Sequence, residues 1–332
     1  MKMFVETPTG IIRDTFFTPE NIERMNALGE VVWNPYDRHL TPEELRDALV
    51  DVDVCFCCWG VPPFDATVLE KANKMKVIAY VGGSVNYVST DESYKRGIIC
   101  LSGNEEFARS VAEGNLGYII AAQRRLPQTV NEMAETGWQH VYRRTDSLLE
   151  KTVGIIGLGS ISRYLISYLK PFDCKIKLFS NHTSEEEAAA LGVQKASMEE
   201  IFKTCQIISV NSSRTPKNYH MVTDELMSLL TPDCLIVNTS RGSLIDEAAM
   251  AKHLKAGHFR AILDVYEEEP LPMNSELRGL ENCILIPHRG GPTTDRRAAA
   301  ARIVIEDVKN IMEGRPAKNA VSQSRAAVMT HA

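Results

Sequence analysis

Three charged side chains in the second half of the chain each follow a short apolar run: Arg241 in VNTSRG, Glu269 in DVYEEEP and His288 in IPHRGG. Such runs read as buried strands of an open α/β sheet. In these sheets the ligand crevice lies beyond the carboxyl ends of the strands, so side chains distant in sequence converge there. Each of the three has a chemical task. An arginine holds a carboxylate through two parallel N–H donors and polarises the adjoining carbonyl. A histidine backed by a carboxylate delivers a proton near neutral pH. Together Arg241, Glu269 and His288 describe acid-assisted hydride transfer.

The source of a hydride is sought in KTVGIIGLGSIS, Lys151 to Ser162. Val153, Ile155 and Ile156 supply a strand, Gly157 allows a tight turn, and Gly159 lets helix-start N–H groups approach a pyrophosphate. Ser162 stands where the fingerprint has its third glycine, small enough to be tolerated with slightly looser packing. About 20 residues on, an NAD-preferring site places an acid for the ribose hydroxyls. Here the strand end reads LFSNHTSEEE, so Ser180 holds that position, followed by Asn181 and His182. Without a carboxylate there is no repulsion toward a 2′-phosphate, and Ser180, Asn181 and Thr183 are available donors. The cofactor expected is NAD(P), with NADP(H) favoured; Arg163 and Arg214 are the candidate phosphate partners from neighbouring elements.

The motifs VGIIGLGSIS, VNTSRGSLIDEAAM, AILDVYEEEPLP and PHRGGPT, in this order and spacing, resemble the D-isomer-specific 2-hydroxyacid dehydrogenases over nearly the whole chain. The resemblance implies a two-domain α/β fold: a doubly wound Rossmann cofactor domain (105–294) inserted into a flavodoxin-like substrate domain (1–104 and 295–332), both with parallel sheets. It implies that Arg241 binds substrate, that His288 is the general acid/base, and that Glu269, the carboxylate before Pro270, pairs with it, leaving Glu267 and Glu268 solvated. Cofactor contacts are expected from Gly157, Leu158, Gly159, Ser160, Ile161, Ser180, Asn181, His182, Asn211, Ser212, Thr239, Ser240, Asp264 and Gly290. Asp264 is read as structural or near the nicotinamide end. In the first domain YVGGSVNYVS resembles the loop facing the nicotinamide, with Val81, Gly82 and Gly83 as the substrate-carboxylate loop. Asn86 stands where the family usually has an acid. The implied function is NAD(P)H-dependent, reversible reduction of a 2-oxoacid to a D-2-hydroxyacid. A dinucleotide-sensing, non-catalytic corepressor and a phosphoglycerate dehydrogenase without a regulatory domain are the competing readings. A homodimer is expected, with Leu116, Ile119 and Ile120 as an interface or core stripe.

Composition agrees with this class. The chain has 332 residues, 44% hydrophobic and 24% charged, with net charge −6 and scattered basic residues, which offers no surface for a nucleic-acid backbone. No run approaches the ~18 apolar residues of a membrane span, no signal-peptide core follows the N-terminus, and a cytoplasmic protein is expected. Of eight cysteines, Cys55, Cys57 and Cys58 lie in one apolar strand, VDVCFCCWG, and none has metal-ligand spacing, so no metal is expected. Trp59, which follows, is read first as a packing residue. Strand and helix signals alternate throughout, including a helix at DATVLEKANK, a long helical run from Arg109 to Arg124, and another after Thr294. The polar tail from Pro316 is expected to wrap the surface or move freely.

Overall fold

The computed structural model describes residues 1–138 and 144–330. It divides into two compact units, unit 1 (1–110 and 292–332) and unit 2 (111–291). The chain enters unit 1 through β1 (Lys2–Val5), α1 (Ile11–Phe16), α2 (Pro19–Asn26), β2 (Glu30–Trp33) and α3 (Pro42–Ala48). It continues through β3 (Val54–Cys57), β4 (Val77–Tyr80), α4 (Asp91–Lys95), β5 (Ile99–Ser102) and α5 (Asn104–Gln123), which carries it into unit 2. The strands pair in parallel in the order β2-β1-β3-β4-β5, the flavodoxin-like order. Strand side chains alternate between two cores: Met3 and Val5 face one, Phe4 the other. Pro42 and the reciprocal bonds between Thr41 and Glu44 start α3 where TPEE places it.

Unit 2 holds α6 (Leu126–Thr136), β6 (Thr152–Ile156), α7 (Ser160–Leu169), β7 (Lys175–Phe179), α8 (Glu185–Leu191), β8 (Gln194–Lys195) and α9 (Met198–Thr204). It continues with β9 (Ile207–Val210), α10 (Asp224–Ser228), β10 (Leu235–Asn238), α11 (Glu247–Lys255), β11 (Arg260–Leu263) and β12 (Cys283–Leu285). These strands form one parallel sheet, β12-β11-β10-β9-β6-β7-β8, doubly wound with its switch point between β6 and β9. The chain then returns to unit 1 as α12 (Thr294–Met312) and α13 (Gln323–Ala326). There α12 packs on α1, α2, β4 and β5, with Ala300, Ala301, Val304, Ile305 and Val308 closing one core.

One expectation fails locally, and others are narrowed. Residues 65–74, expected as a helix, are successive turns: only Leu69 N–H reaches back four residues, to Asp65 O at 3.0 Å, and later bonds reach back three or two. The β-branched pair Thr67-Val68 weakens helix formation there. The tail is anchored: Val321 N–H donates to Cys100 O (2.8 Å), and buried Asp307 accepts from Lys318 and Asn319 N–H at 2.8 Å each. Ile119 is fully buried and Leu116 and Ile120 pack on the same core, so that stripe is core rather than interface. All eight cysteines are free thiols, seven of them buried. Among the described residues no helix is long and apolar enough to cross a membrane.

Candidate functional site

Arg241 leaves the end of β10, and two neighbours fix its backbone. Asn238 Nδ2 donates to Arg241 O (2.9 Å), and Gly242 lies so close to Tyr266 that a Cβ would sit 1.8 Å from its carbonyl carbon. Only glycine fits there. Arg241 Nη1 donates to Ser240 O at 2.7 Å, leaving the rest of the guanidinium fork open. Burial pulls this guanidinium below the ordinary arginine range; the Glu269 carboxylate opposes that and Arg214 adds to it.

Glu269 follows β11 on a loop held by Tyr266, whose OH donates to Leu263 O (3.0 Å) and Ile286 O (2.9 Å) and whose N–H donates to Glu269 Oε1 (2.9 Å). His288, after β12, donates from Nδ1 to Glu269 Oε2 at 2.6 Å. A carboxylate only accepts, so the proton sits on Nδ1, and Nε2 has no partner among the described residues. The backbone at His288 is left-handed, φ 49°, a conformation that a non-glycine holds only when its surroundings impose it. Asp264 does so. Its carbonyl accepts His288 N–H (3.0 Å), and its carboxylate accepts Arg289 N–H (2.6 Å) and Gly290 N–H (2.7 Å). Burial pushes this carboxyl up, and the two N–H donors pull it down. Within unit 2, His288 is thus bonded to the Glu269 carboxylate, and Arg241 lies close enough to feel the same charge.

The cradle for a dinucleotide lies at the switch point of the same sheet. Gly157 has φ 91°, and a Cβ there would come within 2.8 Å of Ser212 Oγ; Gly159 is open on all sides at the start of α7. Leu158, Ser160 and Ile161 are half-buried around that helix start. Ser162 does not loosen the turn as expected: its hydroxyl donates to Gly157 O at 2.6 Å and closes it. Beneath the cradle Asn115 bonds Ser209 Oγ (2.9 Å) and Thr239 Oγ1 (3.2 Å), and Asn211 bonds Ser209 Oγ (3.1 Å). The Oδ1 atoms of Asn115 and Asn211 stay buried without a partner, acceptors that a ligand's N–H group would satisfy. Open helix start, glycine turn and orphaned acceptors fit a nicotinamide dinucleotide.

Other expected contacts are committed elsewhere. Ser240 Oγ donates to Val210 O (2.8 Å), and Gly290 N–H donates to the Asp264 carboxylate (2.7 Å), so these groups already have partners within the protein. Thr183 is buried and donates to Ser180 Oγ (2.7 Å), which frees the Ser180 proton; Asn181 and His182 are exposed beside it. Arg163 pairs with Glu187 on the surface. Glu267 is not merely solvated: it accepts from His220 Nε2 (2.7 Å) and Glu247 N–H (3.0 Å). In unit 1, Val81 N–H donates to Cys57 O (3.0 Å) and its side chain is core, whereas the N–H groups of Gly82 and Gly83 meet no acceptor among the described residues. Asn86 turns to the tail, donating to Ala326 O (3.0 Å), and Ser84 donates to Thr330 O (2.7 Å). Trp59, read as packing, is 37% exposed. Asn115, Ser209, Asn238 and Tyr266 escaped the sequence reading. Asn238 and Tyr266 lie inside the quoted motifs, whereas Asn115 meets partners 94 and 124 residues away.

A doubly wound sheet with a glycine turn at its switch point and an Arg–Glu–His set at its strand ends defines a dinucleotide-binding α/β protein. The family model described as "D-isomer specific 2-hydroxyacid dehydrogenase, NAD binding domain" matches residues 116–290. The D-3-phosphoglycerate dehydrogenase of Methanocaldococcus jannaschii is 35% identical over 285 residues, covering 85% of this chain and 54% of that protein. The glyoxylate reductase of Thermococcus litoralis is 30% identical over 267 residues, covering 78% of this chain and 80% of that one. A solved NADPH-dependent glyoxylate/hydroxypyruvate reductase of Sinorhizobium meliloti shares the fold at 21% identity, TM-score 0.78, covering 100% of this chain and 99% of that one. The chain belongs to the D-isomer specific 2-hydroxyacid dehydrogenase family. It spans about half the length of the phosphoglycerate dehydrogenases it matches.

Proposed function

We propose that the protein reduces a 2-oxoacid to its D-2-hydroxyacid, reversibly, with a nicotinamide dinucleotide. The observation that carries this is the 2.6 Å bond between His288 Nδ1 and Glu269, which leaves Nε2 free to serve a substrate oxygen. The bound dinucleotide supplies and accepts the hydride. His288 Nε2 gives its proton to the carbonyl oxygen, while Glu269 holds the Nδ1 proton and balances the positive ring. The open fork of Arg241 takes the substrate carboxylate and steadies charge growing on the oxygen. In unit 1, Gly82 and Gly83 offer N–H donors suited to a carboxylate. Ser180, with its hydroxyl proton free and no carboxylate beside it, favours NADPH over NADH. The homodimer expected of the protein has a candidate face on α6, where Leu126, Val130 and Met133 stand exposed on one side of the helix. A cytoplasmic location goes with this reading.

The test is the loss of nicotinamide absorbance with NADPH and NADH in parallel, against glyoxylate, hydroxypyruvate, pyruvate, phenylpyruvate and branched 2-oxoacids. Turnover with any of them, faster with NADPH, is the expected outcome. Dinucleotide binding without turnover on any acid overturns the reading.

A further inference from the structure

We propose that Glu267, held by His220, is a positioning residue for the reaction: it fixes the loop that carries Glu269 against the backbone that carries Arg241. This rests on the reading of the protein as a 2-oxoacid reductase. Glu269 Oε1 is held by Tyr266 N–H, so its other oxygen meets His288 only while the backbone at Tyr266 keeps its course. The Tyr266 hydroxyl anchors the side chain there, and Glu267, the next residue, anchors the backbone. Glu267 N–H donates to Glu247 Oε2 (3.0 Å), and Glu267 Oε1 accepts Glu247 N–H (3.0 Å). This reciprocal pair ties the loop after β11 to the first turn of α11. A third bond reaches the segment after β9, where His220 Nε2 donates to the same Oε1 at 2.7 Å.

The arginine side of the site is joined on at the same place. Gly242, next to Arg241, is pressed against the peptide between Tyr266 and Glu267: a Cβ there would stand 1.8 Å from the Tyr266 carbonyl carbon and 2.4 Å from Glu267 N. The spacing of Arg241 and Glu269 is therefore set where Glu267 is held. His220 makes its bond from a costly conformation. Its backbone is left-handed, φ 49°, and its N–H donates to Ser243 O (2.9 Å) in the turn after β10. Carboxylates crowd this corner. Burial pushes the Glu247 carboxyl up, the Glu267 N–H opposes that, and the charges of Glu267 and Glu268 add to the rise. The imidazole N–H of His220 is the side-chain donor that keeps Glu267 in place against this repulsion.

The test uses the complete chain and reads the His288 ring without any substrate. The imidazole titration is followed by proton NMR, its signal assigned by its loss in H288A, and kcat is measured alongside. E267A removes both bonds to Oε1 and should lower the His288 midpoint by about 0.5 pH unit or more, because an imidazolium that loses its aligned carboxylate gives up its proton sooner. It should also lower kcat by about tenfold, with NADPH binding near normal. E267Q removes the same charge but keeps an acceptor for both donors, so it should restore the midpoint and most of kcat. H220N suits the left-handed backbone and is too short to reach Glu267; it should fall between the two, and it carries the test should E267A not fold. Asp264 and Arg241, the other charged groups near the His288–Glu269 pair, are the same in every variant. A lowered melting temperature with midpoint and kcat at parent values overturns the proposal, and so does an E267Q midpoint displaced as far as that of E267A. A moved midpoint in a chain that reduces no acid leaves the positioning role standing and defeats the reductase reading; turnover with an unmoved midpoint does the reverse.

Discussion

At the scale of single residues, the chemistry turns on the His288 ring. Glu269 holds its Nδ1 proton, and the ring presents Nε2 for the proton that is transferred, with no competing acceptor among the described residues. His288→Ala is therefore expected to lower kcat by about 100-fold or more. NADPH binding, read by nicotinamide fluorescence, should stay near normal, because the histidine touches none of the glycine cradle. Ser180 makes a separate prediction. A carboxylate at that position would repel a 2′-phosphate and accept the ribose hydroxyls, so Ser180→Asp should move the NADPH-to-NADH ratio of kcat/KM toward NADH by about tenfold or more. An unchanged ratio would place cofactor choice elsewhere.

At the scale of elements, the site is a set of strand ends tied to one another. The loop after β12 hangs on Asp264, whose two oxygens each take one backbone N–H. An amide has one acceptor oxygen, so Asp264→Asn turns an NH2 toward one of those donors and releases the loop. A loss of about tenfold or more in kcat is expected, with little change in the affinity for NADPH. In the glycine turn, Ser162→Ala removes the bond to Gly157 O, worth about 1 kcal/mol, and should lower the melting temperature by about 2–4 °C in calorimetry. Much of this level was legible beforehand. Apolar runs marked the strands, Thr41-Pro42 marked α3, and Arg241, Glu269 and His288 stood out because each ends such a run. What escaped was whatever depends on distant partners. The value of Asn115 appears only when β9 and β10 lie side by side, and the turns at 65–74 replace a helix whose local pattern looked adequate.

At the scale of the whole molecule, unit 1 is assembled from two separated stretches of chain. The tail beyond Arg315 is not trim: it adds backbone bonds to β5 and reaches Ser84 and Asn86 behind the glycine loop. Ending the chain after Arg315 should lower the thermal transition of unit 1 by several degrees and raise KM for the oxoacid more than it changes NADPH binding. The discontinuity also dictates an order of events on the ribosome. All five strands of unit 1 emerge first, yet one face of their sheet, covered only in part by α1 and α2, is not closed until α12 follows the whole of unit 2. At about 5–20 residues per second that delay lasts on the order of ten seconds or more. Through it the nascent polypeptide displays an apolar sheet surface that a holding chaperone would shield, while the inserted unit, being contiguous, is free to fold first.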